Sequence, residues 1–127
     1  MSELHFYEDP DDALPRAKED MRFTAVAVQP YADGRRVKLN FKLTPFTERP
    51  SVDISVTNAA GHEVASLSLI EAMDTEFDFT IHLRGPTPEG EHTVRLTMFY
   101  PMGDDAPTER RHVVAEHSLT FEVALSP

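Results

Sequence analysis

From Met21 onward, apolar residues recur at every second position, the spacing that sends successive side chains to opposite faces of an extended strand. The clearest case is RVKLNFKL (36–43). Val37, Leu39, Phe41 and Leu43 fall on one face, and Arg36, Lys38, Asn40 and Lys42 on the other. Such a strand has one side in a core and one in water. The same spacing predicts strands over 22–28, 52–57 (Val52, Ile54 and Val56 inward), 62–70, and 75–83 (Phe77, Phe79, Ile81, Leu83). Two more are expected over 92–100 (Val94, Leu96, Met98, Tyr100) and 112–123 (Leu119, Phe121, Val123). Turn formers separate them: Pro30 with Asp33-Gly34, Asn58-Ala59-Ala60-Gly61, and the Gly/Pro-rich stretches 85–90 and 101–107. No segment carries a helical period. Seven short alternating strands at regular intervals predict an all-β fold, a sandwich of two antiparallel sheets. Phe41, Phe79, Leu96 and Phe121 should then meet in one interior.

Length agrees with a single domain, since 127 residues lies in the usual range for one. The chain has no cysteine, so no disulfide staples it. That leans towards a reducing compartment, and a cytoplasmic location is the expectation. Residues 1–20 have no basic and then apolar stretch of the kind a secretory leader shows. No stretch approaches the ~18 apolar residues of a membrane-spanning helix.

Charge changes the picture at one end. The net charge is -10, and residues 1–20 supply half of it: Glu3, Glu8, Asp9, Asp11, Asp12, Glu19 and Asp20 against Arg16 and Lys18. An acidic chain disfavours nucleic acid and anionic membrane as partners. The acids, Pro10 and Pro15 mark 1–20 as an acidic N-terminal tail ahead of a sandwich spanning 21–125. Leu4, Phe6 and Tyr7 are too apolar for an idle leader, so they are candidates for docking along the domain, along an edge strand or across a dimer.

The stretch PEGEHTVRLTMFY (88–100) resembles the loop and penultimate strand of fibronectin type III and other immunoglobulin-like domains, and VDISVTNAAGHEVASLSL (52–69) looks like their central hairpin. The layout of 21–125 is similar to stand-alone, uncharacterised bacterial families of that kind. The resemblance implies an immunoglobulin-like sandwich and leaves activity open, because that fold hosts adhesion, sugar-binding and scaffold roles alike. The family's corner tyrosine, whose hydroxyl ties back to the preceding loop, is matched here by His92, whose ring nitrogen would have to make the tie.

Candidate chemistry is sparse. Of six histidines, only His112 and His117 are close in sequence, and five residues apart on one regular strand they fall on opposite faces. There is no Gly-x-Ser-x-Gly elbow, phosphate loop or dinucleotide fingerprint. Ser51, Ser55, Ser66 and Ser68 alternate as a solvated sheet face would. Glu76 and Asp78 read as exposed strand residues, and Asp104, Asp105 and Glu109 as acids of a loop able to offer calcium oxygen ligands. The expectation is no enzyme, no metal and no cofactor.

One feature stands out on so acidic a chain. Arg35, Arg36, Lys38 and Lys42 form a basic stripe on the outward side of 36–43. It admits two readings: lysine-rich protection of an edge strand, or a receiver for an acidic segment from this chain or another. The function expected is a protein-binding or scaffold module that works through a sheet face or an edge strand, with another protein or a second copy as partner. The alternative is an accessory domain for carbohydrate or calcium, with Tyr31, Phe46 and Phe99 as the aromatics available to stack on a sugar.

Overall fold

The computed structural model describes residues 14–84, 90–101 and 111–123. Seven strands follow in chain order: β1 (Phe23–Pro30), β2 (Arg36–Leu43), β3 (Ser51–Thr57), β4 (Glu63–Leu69), β5 (Glu76–His82), β6 (Gly90–Pro101) and β7 (Arg111–Val123). Each begins and ends within two residues of the bounds the alternation predicts. Among the described residues the one helical turn is the 3-10 turn Lys18–Asp20.

The strands form two sheets, one of three in the order β1-β2-β5 and one of four in the order β4-β3-β6-β7, with every neighbouring pair antiparallel. The chain is an all-β sandwich. Val37, Leu39, Phe41 and Leu43 of β2 face Val52, Ile54 and Val56 of β3 and Val94, Leu96 and Met98 of β6, all buried in one cluster with Phe121 and Val123. Phe77 and Phe79 pack against its rim, Phe41 lying 5.3 and 6.1 Å from their ring centroids. The four residues expected to meet do meet.

Parity slips at three points, between Phe23 and Ala25 in β1, at the Val56/Thr57 step of the β3–β4 ladder, and in β7, where it changes an expectation. Met98 pairs with Ala115 but Phe99 pairs with Val113, so Val114 is an extra residue in β7, a β-bulge. Directly opposed residues share a face. Tyr100 opposes His112 and Leu96 opposes His117, so both histidines stand on the inward side of their sheet. The expectation that they fall on opposite faces is corrected, because the bulge resets the alternation between them.

His92 is buried at 1% exposure, its ring 5.4 Å from that of Phe121. Its Nδ1 lies 3.1 Å from the carbonyl oxygen of Gly90. A carbonyl only accepts, so Nδ1 carries the proton. The tie is local, two residues upstream. Gly90 itself has a φ of +113°, and a Cβ there would come within 3.3 Å of the Ala59 Cβ, so the approach of β6 to the 58–61 turn requires glycine. The long-range tie lies at the other end of β6, where the Tyr100 hydroxyl donates to the carbonyl of Glu48.

Residues ahead of β1 run along the domain. Arg16 and Phe46 form a parallel bridge, with Arg16 N donating to Pro45 O at 2.9 Å and Thr47 N to Arg16 O at 3.2 Å.

Candidate functional site

The candidate site is the outward face of the three-stranded sheet. The ladders align its side chains in rows: Ala25–Lys42–Glu76, Ala27–Asn40–Asp78, Gln29–Lys38–Thr80, and Arg36 beside His82. β2 is therefore the middle strand, paired on both sides. Edge protection does not account for its cations, and that reading is corrected. The even spacing of Arg36, Lys38, Asn40 and Lys42, which alternation puts opposite the core residues, sets them in one line down the centre of the face.

The face is chemically divided. Its β1 side carries the short chains of Ala25 and Ala27, its midline the lysines, and its β5 side the acids Glu76 and Asp78. Because alanine stops at Cβ, the surface dips beside the lysines. One depression of about 500 Å³ is lined by Ala27, Val28, Gln29, Lys38, Asn40 and Asp78. A second of about 390 Å³ is lined by Gln29, Pro30, Tyr31, Ala32 and Lys38. Lys38 borders both.

The four cations expected to act together have different roles. Arg36 belongs to the β1–β2 turn: Asp33 accepts from Arg35 N at 2.9 Å, Arg36 N at 3.2 Å and Arg36 Nε at 2.8 Å, and the guanidinium lies 4.3 Å from the Tyr31 ring centroid. The Arg35 amide, then the Arg36 side chain, hold the Asp33 carboxyl below its ordinary range. Arg35 stands at that turn and accepts Leu83 N through its carbonyl at 2.7 Å. Lys42 stands opposite Glu76. Lys38 is exposed and enters no ion pair among the described residues. Between the two lysines, Asn40 Nδ2 donates to Asp78 Oδ1 at 2.6 Å and to Phe77 O at 3.2 Å, which fixes the amide across the sheet. The arrangement offers a cationic centre, a fixed amide and an apolar shelf in a shallow trough. That suits recognition of an extended acidic chain.

Leu4, Phe6 and Tyr7 lie outside the described residues, as do Asp104, Asp105 and Glu109. The three aromatics expected to be open for stacking are engaged. Arg36 covers one face of Tyr31, Arg111 sits 4.1 Å over Phe99, and Phe46 packs on the core. His82 is exposed at the end of β5 and His62 in the β3–β4 turn. Among the described residues no group of three or more His, Asp or Glu is placed to hold a metal ion. No helix among them is long and apolar enough to cross a membrane.

A second surface was missed. Ile70 and Met73 are 65% and 73% exposed on the loop between β4 and β5. The loop is held: Glu71 N donates to Ser51 Oγ at 3.1 Å, Ala72 N to Pro50 O at 2.7 Å, and Ala72 is fully buried. Glu71 adopts a φ of +52°, a conformation a side chain disfavours. Ser51 opposes Phe99, which opposes the exposed Val113, so these apolar groups gather at one end of the four-stranded sheet. The one available hint was apolar residues in a turn segment, EAMD.

No protein-family model matches the sequence, and no curated protein matches it. Solved structures share the fold. A glycosyl hydrolase family 2 member from Bacteroides cellulosilyticus DSM 14838 superposes with a TM-score of 0.56 at 15% identity, over 81% of this chain and 15% of that one. β-Glucuronidases from Lactobacillus rhamnosus and Ruminococcus gnavus overlap at TM-scores of 0.46 and 0.47 and 12% identity, over 82% of this chain and 16% of theirs. The chain thus corresponds to about a sixth of those enzymes' length.

Proposed function

We propose that this chain is a non-enzymatic binding module of the immunoglobulin-like class that receives an extended acidic segment of a partner protein along the outward face of β1-β2-β5. The observation that carries the reading is Lys38: an exposed cation on a middle strand, between two depressions, with no ion pair among the described residues. A lysine there serves no edge protection and no salt bridge among the described residues, whereas an anionic group laid in the trough would gain a charge-assisted contact. The acids of the β5 side set direction, since they repel an acidic ligand from that half and leave it the alanine shelf beside the lysines.

The test is calorimetric titration with a short synthetic peptide of alternating glutamate and valine. It should bind, the matching lysine–valine peptide should not, and Lys38→Glu with Lys42→Glu should abolish binding. Absence of binding, or binding indifferent to the charge reversal, refutes the reading. Sedimentation of the full chain covers the case of self-association: a dimer abolished by the same reversal makes a second copy the partner.

A second reading, an accessory domain for carbohydrate, draws on the fold shared with a segment of a glycosyl hydrolase family 2 chain. The cations over Tyr31 and Phe99 weigh against it, because a pyranose stacks on an open ring. A thermal-shift panel of glycans and calcium separates the two readings.

A further inference from the structure

An open sheet edge invites another strand, and natural chains blunt theirs with charge, proline or cover. The two sheets end in β1 and β5 and in β4 and β7. β1 and β7 pack on each other, with the Phe23 ring 6.4 Å from that of His117. β5 carries Glu76 and Asp78 on its outward side. β4 has none of these protections. Residues 64–70, VASLSLI, hold no charge and no proline, and no strand among the described residues pairs with their outer side. We infer that β4 is a dimerisation edge, pairing antiparallel with β4 of a second copy about a two-fold axis at Leu67. This surface is separate from the lysine face.

The main chain of β4 is set to receive a strand. Flanking β3, Pro50 O accepts from Ala72 N and Asn58 N donates to His62 O, both on the β4 side. Even-numbered residues of β3 therefore turn their main-chain groups to β4, where Leu69, Leu67 and Ala65 oppose Val52, Ile54 and Val56. Ser66 and Ser68, between them, aim their N–H and C=O groups away from the sheet. At one end Val64 O accepts from Arg84 N at 2.9 Å and Arg84 Nε at 3.2 Å, which bounds the stretch.

Symmetry and charge select the occupant. Pairing about Leu67 sets Ser66 opposite Ser68, and Ala65 opposite Leu69, of the second copy. Like charges directly opposite are destabilising, so a chain of net charge -10 meets itself best along an uncharged edge. The same operation about Phe77 of β5 would set Glu76 opposite Asp78. Glu63 and Glu71 fall outside the pairing. Val64 is an extra residue in the ladder at one end, and the chain turns off at Glu71, whose φ is +52°, at the other. The exposed Ile70 continues the line of β4 and the exposed Met73 follows on the loop, so apolar surface adjoins the same edge.

Sedimentation equilibrium of the full chain tests the inference. The wild type should be a dimer that holds or tightens as salt rises from 20 to 300 mM, because its interface is uncharged and the net repulsion is screened. Lys38→Glu with Lys42→Glu should leave the dimer intact. Ser66→Pro removes an N–H that no described residue accepts, and should give a monomer with the wild-type circular dichroism. Ser66→Glu with Ser68→Glu should raise the dissociation constant at least about tenfold, and Ser66→Lys with Ser68→Glu should recover most of that loss, since each lysine then opposes a glutamate. Should the proline variant fail to fold, these two pairs decide alone. A monomeric wild type, a dimer indifferent to the edge changes, or no recovery with the lysine–glutamate pair overturns the inference. A dimer lost on the Lys38 and Lys42 reversal instead also overturns it, and places the second copy on the lysine face.

Discussion

The hydroxyl of Tyr100 donates to the main-chain carbonyl of Glu48 across 2.9 Å, joining the end of β6 to the loop that leads into β3. Tyr100 is 1% exposed, and Lys18, paired with Glu48 at 4.0 Å, lies 5.7 Å from its ring centroid. One side chain therefore holds together the inter-sheet crossing and the segment that precedes β1.

Burial, followed by the nearby Glu48 and Glu19 carboxylates, pushes the Tyr100 hydroxyl up to about 12. An unfolded tyrosine ionises near 10, so the folded chain keeps a proton that the unfolded chain loses between those values. The stability this proton contributes is complete below pH 10 and is lost as pH rises from 10 towards 12. Tyr100→Phe should cost about 0.5–1.5 kcal/mol at neutral pH, the net worth of one hydrogen bond. It should also show a shallower alkaline decline than wild type. Urea midpoints for both proteins from pH 8 to pH 11.5 check the prediction, and parallel declines would contradict it.

Glu71 occupies the left-handed region without being glycine. Glu71→Gly should stabilise the chain by about 0.5–1 kcal/mol, the relief of side-chain strain exceeding the added entropy of the unfolded state. Denaturant unfolding of the two proteins measures it. A loss of stability would mean that the Glu71 side chain makes a contact worth more than the strain.

His92 fills core volume against Phe121 and saturates the Gly90 carbonyl. His92→Ala should therefore cost about 2–4 kcal/mol, a cavity together with a lost hydrogen bond. A midpoint within about 0.5 kcal/mol of wild type, the range of ordinary surface changes, would contradict this packing.

Lys38→Glu lies on a solvated face and should shift stability by no more than about 0.5 kcal/mol, whereas Lys42→Glu sets a second carboxylate opposite Glu76 and should cost up to about 1 kcal/mol. A larger loss would show that these lysines serve the fold, and peptide binding by the variant would then have to be read with that loss in hand.

The legible part of this fold is whatever alternation alone decides. Val37, Leu39, Phe41 and Leu43 announce a strand and its inward side, and by the same token place Lys38 and Lys42 outside. Strand order was not legible, because the partners of β2 are chosen by tertiary packing, and nothing local in TEFDFTIHL says that it joins β2 rather than β4. That choice put the lysines on a middle strand and removed their simplest explanation. The Val114 bulge was hidden because HVVAEH reads as a continuous apolar-polar run, and one extra residue inverts the parity of everything beyond it. Arg36 read as one more cation of the stripe, although Asp33 three residues earlier is the group that claims it. Ile70 and Met73 were hidden for a different reason. Their exposure is set by Ser51 Oγ and Pro50 O, which come from another strand.

The most direct test of the binding face is a heteronuclear NMR titration of the isotopically labelled full chain with the glutamate–valine peptide. Shifts should concentrate at Ala27, Gln29, Lys38, Asn40 and Asp78, leave Ile70, Met73 and Val113 in place, and weaken as salt rises from 20 to 300 mM, where screening shortens to within a few ångströms of contact distance. Shifts confined to the Ile70–Met73 end of the other sheet, or none at all, would contradict it.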